Sequence, residues 1–390
     1  VLYAKNKISI FYIANNFLAD GLIMDNYIEE FIAKIKKIPI FIPLFTTLTS
    51  LYGFILLYSA AGGHIEPWAY KQILIFLIFM PISILIAIID LRIIYNLAYT
   101  FYIATLLLLL FVELMGKSAM GATRWLDLGL FTIQPSELVK ISVVMMLAKF
   151  FHEHSNYIAS DFTLILPLIA SIIPIALVIR QPDLGTGVIT LIVVGFMFFA
   201  AGVKRIYFII SGVIGLAAMP TIWFMLYDYQ RNRILTFINP EDDPLGKGYN
   251  IIQSKIAIGS GGLFGKGLLS GTQGPLSFLP EYETDFIFSF LMEELGFIGG
   301  IILLVLYSLI IISSLSVAIN CRSKFARLLT IGIVTLFFCH IFINIAMVMG
   351  LLPAVGVPLP LISYGRTMMV SMLLGFGLIM NAAVNRHKNL

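Results

Sequence analysis

Ten apolar runs recur along this chain, at 40–61, 71–90, 95–114, 136–151, 162–179, 187–202, 206–227, 286–319, 328–350 and 362–383. A bilayer core about 30 Å thick is crossed by about 20 apolar residues in a helix. No aqueous core holds so many such runs. Of the 390 residues, 59% are hydrophobic and 12% charged, against roughly 25% charged in a soluble domain. Mean hydropathy is +0.98. The sequence predicts an all-α polytopic membrane protein with about ten transmembrane helices and a large polar segment, 228–285, between the seventh and eighth.

An even number of crossings puts both ends on one side. Lys5, Lys7, Lys34, Lys36, Lys37, Arg92, Lys149, Lys204, Arg205, Arg322, Lys324, Arg327, Arg386 and Lys388 fall in one set of connections, directly at run ends in the short ones. By the positive-inside rule that set reads as cytoplasmic. The segments 62–70, 115–135, 180–186, 228–285 and 351–361 read as external, and Trp68, Trp125 and Trp223 lie on or near that side, as interface aromatics do. Residues 1–39 read as a cytoplasmic or interfacial amphipathic segment without a signal-peptide cleavage pattern. Residues 40–385 read as one transmembrane domain and 386–390 as a cytoplasmic tail.

Ionisable groups inside apolar runs are functional candidates, because insertion at bilayer depth costs roughly 2.5–3.5 kcal/mol. Glu137 and Lys140 are three apart and so share a helical face. They read either as a packing ion pair or as part of a polar site. Asp183 follows Arg180 in a break between runs, and Glu113, Glu293 and Glu294 lie in the same predicted half of the bilayer. Together these groups are placed to line one cavity. Asp285 is the last polar residue before Phe-Ile-Phe-Ser-Phe, where loop meets membrane. It reads as an interfacial helix-start carboxylate or as a poised general base. Arg124 and Arg180 favour an anionic ligand. Lys247, Lys255 and Lys266 fit solvated charge equally well.

Other patterns carry less. The stretch Gly259-Ser-Gly-Gly-Leu-Phe-Gly-Lys-Gly lacks the first Gly and the final Ser/Thr of a nucleotide phosphate loop. It reads as a turn-rich re-entrant or surface segment. His152 and His154 have no companion ligands nearby, and Cys321 and Cys339 fit no metal pattern. No Lys/Arg-rich block suggests nucleic acid. No cofactor-binding motif is evident.

Several longer motifs resemble the SEDS family (shape, elongation, division, sporulation) of bacterial cell-wall proteins. They are Gly121-Ala-Thr-Arg-Trp-Leu-Asp-Leu-Gly, Gln134-Pro-Ser-Glu-Leu-Val-Lys, Gln181-Pro-Asp-Leu-Gly-Thr, the run 239–262, Leu279-Pro-Glu-Tyr-Glu-Thr-Asp-Phe-Ile-Phe with Glu293-Glu294-Leu295-Gly296, and Gly350-Leu-Leu-Pro-Ala-Val-Gly-Val-Pro-Leu-Pro-Leu-Ile-Ser-Tyr-Gly. The Asp-Asp-Pro-Leu-Gly and Val-Gly-Val-Pro-Leu-Pro runs resemble the elongation branch rather than the division branch. Arg366 stands where the family usually has Gly; it either adds a phosphate contact or crowds a tight backbone approach.

The resemblance implies ten helices, cytoplasmic termini and a glycosyltransferase of the bacterial inner membrane that polymerises lipid II. It implies a class B penicillin-binding protein, a transpeptidase, as partner, and an essential Asp that falls on Asp285. It puts cavity residues on Arg124, Glu137, Lys140 and Asp183; Glu281 and Arg231 complete the candidate substrate and pyrophosphate set. In that scheme Asp285 takes the proton of an acceptor hydroxyl, Arg124 and Lys140 face the pyrophosphate, and Glu137 positions Lys140. A divalent cation bridging Asp285 and pyrophosphate is compatible with the pattern. The competing readings are a lipid II flippase and a scaffold that only recruits the transpeptidase.

Overall fold

The computed structural model describes residue 29 and residues 31–390, apart from 116, 120–121, 128–131, 156–160, 227, 244–245 and 275–277. Most of the segment predicted to lie at the interface before residue 40 falls outside the described residues. In chain order the elements are α1 (Phe41–Ala60), α2 (Ala69–Ile88), α3 (Leu91–Met115), β1 (Lys117–Ala119), β2 (Ala122–Asp127), β3 (Thr132–Ile133), α4 (Pro135–Glu153), α5 (Asp161–Arg180), α6 (Leu184–Ala201), α7 (Arg205–Met225), α8 (Asp228–Ile238), α9 (Lys247–Ser260), α10 (Ile287–Asn320), α11 (Lys324–Val348) and α12 (Arg366–Val384).

Every predicted run forms a helix. Eight of them (α1, α2, α3, α5, α6, α10, α11 and α12) are long and apolar enough to cross a membrane. The remaining two differ for identifiable reasons. Helix α4 carries Glu137, Lys140, Lys149 and Glu153, and the apolar part of α7, Arg205–Thr221, is shorter. Two predicted loops contain regular structure. The 115–135 connection holds an antiparallel sheet in the order β1-β2-β3, with Leu126 opposite Ile133 and Lys117 opposite Trp125. The 228–285 segment holds α8 and α9. Ile251, Ser254 and Ala257 recur at helical spacing on α9 and are buried, which gives that helix a face to dock on α10.

Helices α4, α11 and α12 form the centre. Apart from Leu138, α4 is buried continuously from Pro135 to Phe151, as a helix enclosed by others must be. Around it pack α3, α6 and α11, while α2 lies along α12 and α1 along α10. Asn381 of α12 donates to the carbonyls of Ile86 (2.8 Å) and Ile89 (2.6 Å), closing the open C-terminal end of α2. Helix α7 stands apart. Ile209, Val213, Leu216 and Met219 are each more than 60% exposed, so the rest of the chain leaves this apolar surface uncovered.

Helix α10 breaks at Gly296, whose φ of 65° and ψ of −164° are open to glycine alone. The glycine-rich stretch threads this break. Lys266 and Gly267 amides donate to the carbonyls of Glu293 (3.0 Å) and Glu294 (2.9 Å), and Phe297 and Ile298 amides return to Gly262 and Leu263. A Cβ at Gly265 would lie 2.1 Å from the Glu294 carbonyl oxygen. The glycines therefore serve backbone-to-backbone packing inside the fold. That is the physical reason the stretch departs from a phosphate loop.

Candidate functional site

Asp285 sits one residue before the cap of α10, on a turn closed by Thr284 and Phe286 amides donating to the Glu281 carbonyl at 3.1 and 3.2 Å. Glu281 holds this turn in a left-handed conformation, φ 56°. Three donors from distant chain segments fix the turn. Asn344, fully buried on α11, donates through Nδ2 to the carbonyls of Asp285 (2.8 Å) and Val357 (2.6 Å). Ser363 Oγ donates to the Thr284 carbonyl at 2.6 Å. The Tyr364 amide donates to the Glu283 carbonyl at 2.8 Å. Burial pushes the Glu283 carboxyl above the usual carboxylate range, and the nearby Glu281 charge adds to the shift.

A cavity of about 50 Å³ opens at this point, lined by Asn250, Glu281, Asp285, Phe286, Met347, Ala354 and Gly356. It has room for a hydroxyl group or a water, whose share of liquid volume is about 30 Å³. Gly356 backs the carboxylate: a Cβ there would lie 3.3 Å from Asp285 Oδ2, and φ is +71°. The neighbouring Val355 carbonyl accepts from Arg233 Nη1 at 3.3 Å.

The other predicted residues form two adjoining clusters around the start of α4. Pro135 at the first helical position follows Gln134 in extended conformation, the start that the sequence predicts. Asp183 caps α6 by accepting from the Thr186 amide. It also accepts from Gln134 Nε2 (3.1 Å) and Ser136 Oγ (3.3 Å). Arg124, on β2, lies 4.0 Å from Asp183 and donates to the carbonyls of Gln181 and Pro182. In the second cluster Lys140 is 1% exposed, 2.7 Å from Glu137 Oε1 and 2.7 Å from His340 Nε2. Ser371 completes it by donating to Glu137 Oε2 at 3.2 Å.

Asp285 and these clusters meet across one segment. A Cβ on Gly185, at the start of α6, would touch Val355 and Val357, and Asp285 lies against Gly356 between them. His340 and Asn344 are one turn apart on α11, so one helix face contacts both Lys140 and the Asp285 turn. The cavity at Asp285 is lined by Glu281 and Asp285 of the predicted residues and by none of the α4 clusters, and residues 355–357 lie between Gly185 and Asp285.

Several predicted residues lie elsewhere. Glu293 accepts from Lys266 Nζ (2.6 Å), the Thr272 amide (2.9 Å) and the Thr272 hydroxyl (2.8 Å). Glu294 accepts from Ser59 at 2.7 Å. Both hold the glycine-rich stretch to α10. Lys266 is thus paired rather than solvated, and Lys255 lies against Gly350. Arg180 pairs with Glu113 at 2.9 Å. Arg231 donates to the carbonyls of Trp223 (3.0 Å) and Phe224 (2.7 Å), closing the end of α7. Arg366 reaches Thr132 Oγ1 at 2.6 Å, tying α12 to β3. The side chain of Lys247 falls outside what is described. Asn344, His340 and Arg233 were not among the predicted site residues. A single Asn or His in an apolar run was the available signal for the first two.

Comparison with known proteins bears on this arrangement. The model of the FtsW, RodA and SpoVE family of cell cycle proteins matches residues 40–388. The peptidoglycan glycosyltransferase MrdB of Escherichia coli K12 is 42% identical over 339 residues, covering 86% of this chain and 90% of that protein. Stage V sporulation protein E of Bacillus subtilis is 37% identical over 279 residues, covering 71% of this chain and 76% of that protein. Among solved structures, a chain of a peptidoglycan synthase complex that coordinates polymerization and crosslinking superposes with TM-score 0.77 at 32% identity, covering 88% of this chain and 97% of that one. The rod shape determining protein RodA of Thermus thermophilus superposes with TM-score 0.67 at 27% identity, covering 88% and 96%. A family match that spans nearly the whole helical bundle, with relatives of 42% and 37% identity, places this chain in the FtsW/RodA/SpoVE family.

Proposed function

We propose that this chain polymerises lipid II into glycan strands, with Asp285 as the general base. The chain is a peptidoglycan glycosyltransferase, and the reading adds its substrate, its residues and its setting. A glycan strand on undecaprenyl pyrophosphate is the donor, and the 4-hydroxyl of lipid II's N-acetylglucosamine is the acceptor. The hydroxyl oxygen bonds to the anomeric carbon as the bond from that carbon to pyrophosphate breaks. Asp285 takes the hydroxyl proton, and the configuration inverts. Such assistance is worth about 10²–10⁴-fold.

The observation that carries the reading is the fixed backbone turn that carries the carboxylate. Asp285 borders a hydroxyl-sized cavity, and its turn is fixed by Asn344, Ser363 and Tyr364. A base already positioned needs no reorganisation at the moment of proton transfer. To Arg124 and Lys140, the cations that the sequence suggested, this reading adds Arg233. Arg231 is committed to α7, whereas Arg233 binds Val355 beside the Asp285 cavity. Arg233 faces the leaving pyrophosphate in this reading. Lys140 and Arg124 shape the ground behind residues 355–357.

The exposed flank of α7 leaves an apolar approach for the polyprenyl chain. The site faces the outside of the bacterial inner membrane, in keeping with the Lys/Arg bias. The partner is a class B penicillin-binding protein, since a solved relative belongs to a synthase complex that couples polymerization to crosslinking. The reading is tested by reconstituting the purified chain with labelled lipid II and no other glycosyltransferase. Long glycan strands are expected; translocation of lipid II across the vesicle without polymer would replace the reading with transport.

A further inference from the structure

A second cavity lies at the opposite end of α11 from the Asp285 turn. It occupies about 400 Å³ between the end of α6 and the start of α11 and is lined by Ala200, Ala201, Lys324, Arg327, Leu328 and Ile331. Lys324 and Asn344 are twenty residues apart on α11, which at 1.5 Å per residue is about 30 Å, the thickness of a bilayer core. The cavity therefore sits at the membrane boundary opposite the Asp285 turn.

Its chemistry is asymmetric. Lys324 and Arg327 are three residues apart on the first turn of α11, so their charges share one face and repel. Among the described residues neither has a carboxylate within ion-pair distance. Glu153, at the same end of the bundle, is held by the hydroxyls of Tyr95 (3.0 Å) and Tyr99 (2.7 Å). The first turn of α11 adds its own open amides, because Ser323 makes no side-chain cap and its buried hydroxyl has no hydrogen-bond partner. The remaining walls are apolar. Phe199 and Ile206, half exposed on either side of the α6–α7 turn, extend that apolar surface outward.

Two unneutralised cations at the rim of a cavity with apolar walls, at headgroup depth, match one ligand. It carries a phosphate and brings its own hydrocarbon. We propose that this cavity binds the phosphate headgroup of an anionic membrane phospholipid, with Lys324 and Arg327 on the phosphate and acyl chains along Ala200, Leu328 and Ile331. A basic pocket between transmembrane helices is the recognised geometry for such headgroups.

The test is native mass spectrometry of the full chain in detergent, titrated separately with dioctanoyl phosphatidylglycerol, dioctanoyl phosphatidylcholine and inorganic phosphate. The phosphatidylglycerol is expected to bind and the phosphatidylcholine not. Each cation near an anionic headgroup is worth about fivefold in affinity, so Lys324→Gln with Arg327→Gln weakens binding about 30-fold. Ala200→Leu fills the cavity, leaves both charges in place and is expected to lower affinity as well. It keeps the test decisive if the double variant does not fold. Equal affinity for both lipids, or unchanged affinity in both the double and the Ala200→Leu variants, overturns the proposal. So does inorganic phosphate binding as tightly as the lipid, which marks a free-anion site. Displacement by a poly-glutamate peptide at lower concentration than the lipid assigns the cavity to a protein partner and equally overturns it.

Discussion

Asn344→Leu isolates what holds the base in place. The side chain is fully buried, and its Nδ2 is shared by the carbonyls of Asp285 and Val357 at 2.8 and 2.6 Å. Leucine has similar bulk and no donor, so both carbonyls lose a partner. A buried group left unsatisfied costs about 1–3 kcal/mol. The Asp285 carbonyl is only partly buried and falls at the low end. The substitution also removes Asn344 Oδ1, which is buried with no hydrogen-bond partner, and this offsets part of the loss. The net effect is about 2 kcal/mol of stability, from the same range. Turnover should suffer more, because a displacement of 1 Å at a reacting group costs about 10²-fold. The expectation is therefore kcat lowered about 10²-fold, with lipid II binding changed little. Asn344→Asp should do worse, since it sets an acceptor against two acceptors. The assays are lipid II polymerisation at saturating substrate, lipid II binding, and thermal unfolding of the same preparations. A leucine variant that turns over at the parent rate would refute the idea that Asn344 positions Asp285.

The buried pair on α4 gives a stability test. Glu137→Gln or Lys140→Met alone strands a charge and should cost about 3–5 kcal/mol, whereas the double change should recover much of it; additive losses in thermal unfolding would contradict a buried ion pair. Arg233→Ala should lower kcat/KM by about 10²-fold or more, as removal of a charge-stabilising donor does, while Arg231→Ala should act mainly on the stability of α7. Equal kinetic losses would remove the distinction between them. Glu283 predicts a pH effect. Its raised carboxyl binds its proton more tightly in the folded protein than in the unfolded chain, so this stabilisation is complete below the usual carboxylate range and is lost as pH rises through the folded value. Glu283→Gln should flatten the dependence of Tm on pH over that window and raise Tm at neutral pH; a variant with the parent's profile contradicts this.

The helices were legible because lipid demands long apolar runs, and such runs are read without knowledge of partners. The Glu137–Lys140 pair was legible for a related reason: both residues lie on one helix, where spacing determines contact. What was not legible depends on contacts distant in the chain. Asn344 looks like a stray polar residue until Asp285, 59 positions away, is brought to it. His340 meets Lys140 across 200 positions. Arg231 and Arg233 are two residues apart on α8 and so leave the helix in different directions, one toward α7 and one toward Val355. The pattern of glycines excluded a nucleotide loop but did not reveal that Gly265 and Gly296 pack backbone against backbone at a kink in α10. Helix α9 was hidden by the polar surroundings of its single buried face.

The central claim is that Asp285 acts as a base rather than as a structural helix-start carboxylate. Asp285→Asn separates the two, since the amide keeps the size and most of the hydrogen bonding of the carboxylate but accepts no proton from an acceptor hydroxyl. Lipid II binding and polymer yield should be measured on one preparation of this variant. The account predicts near-parent binding and thermal stability with polymerisation lowered about 10²–10⁴-fold. Near-normal polymer yield would contradict it.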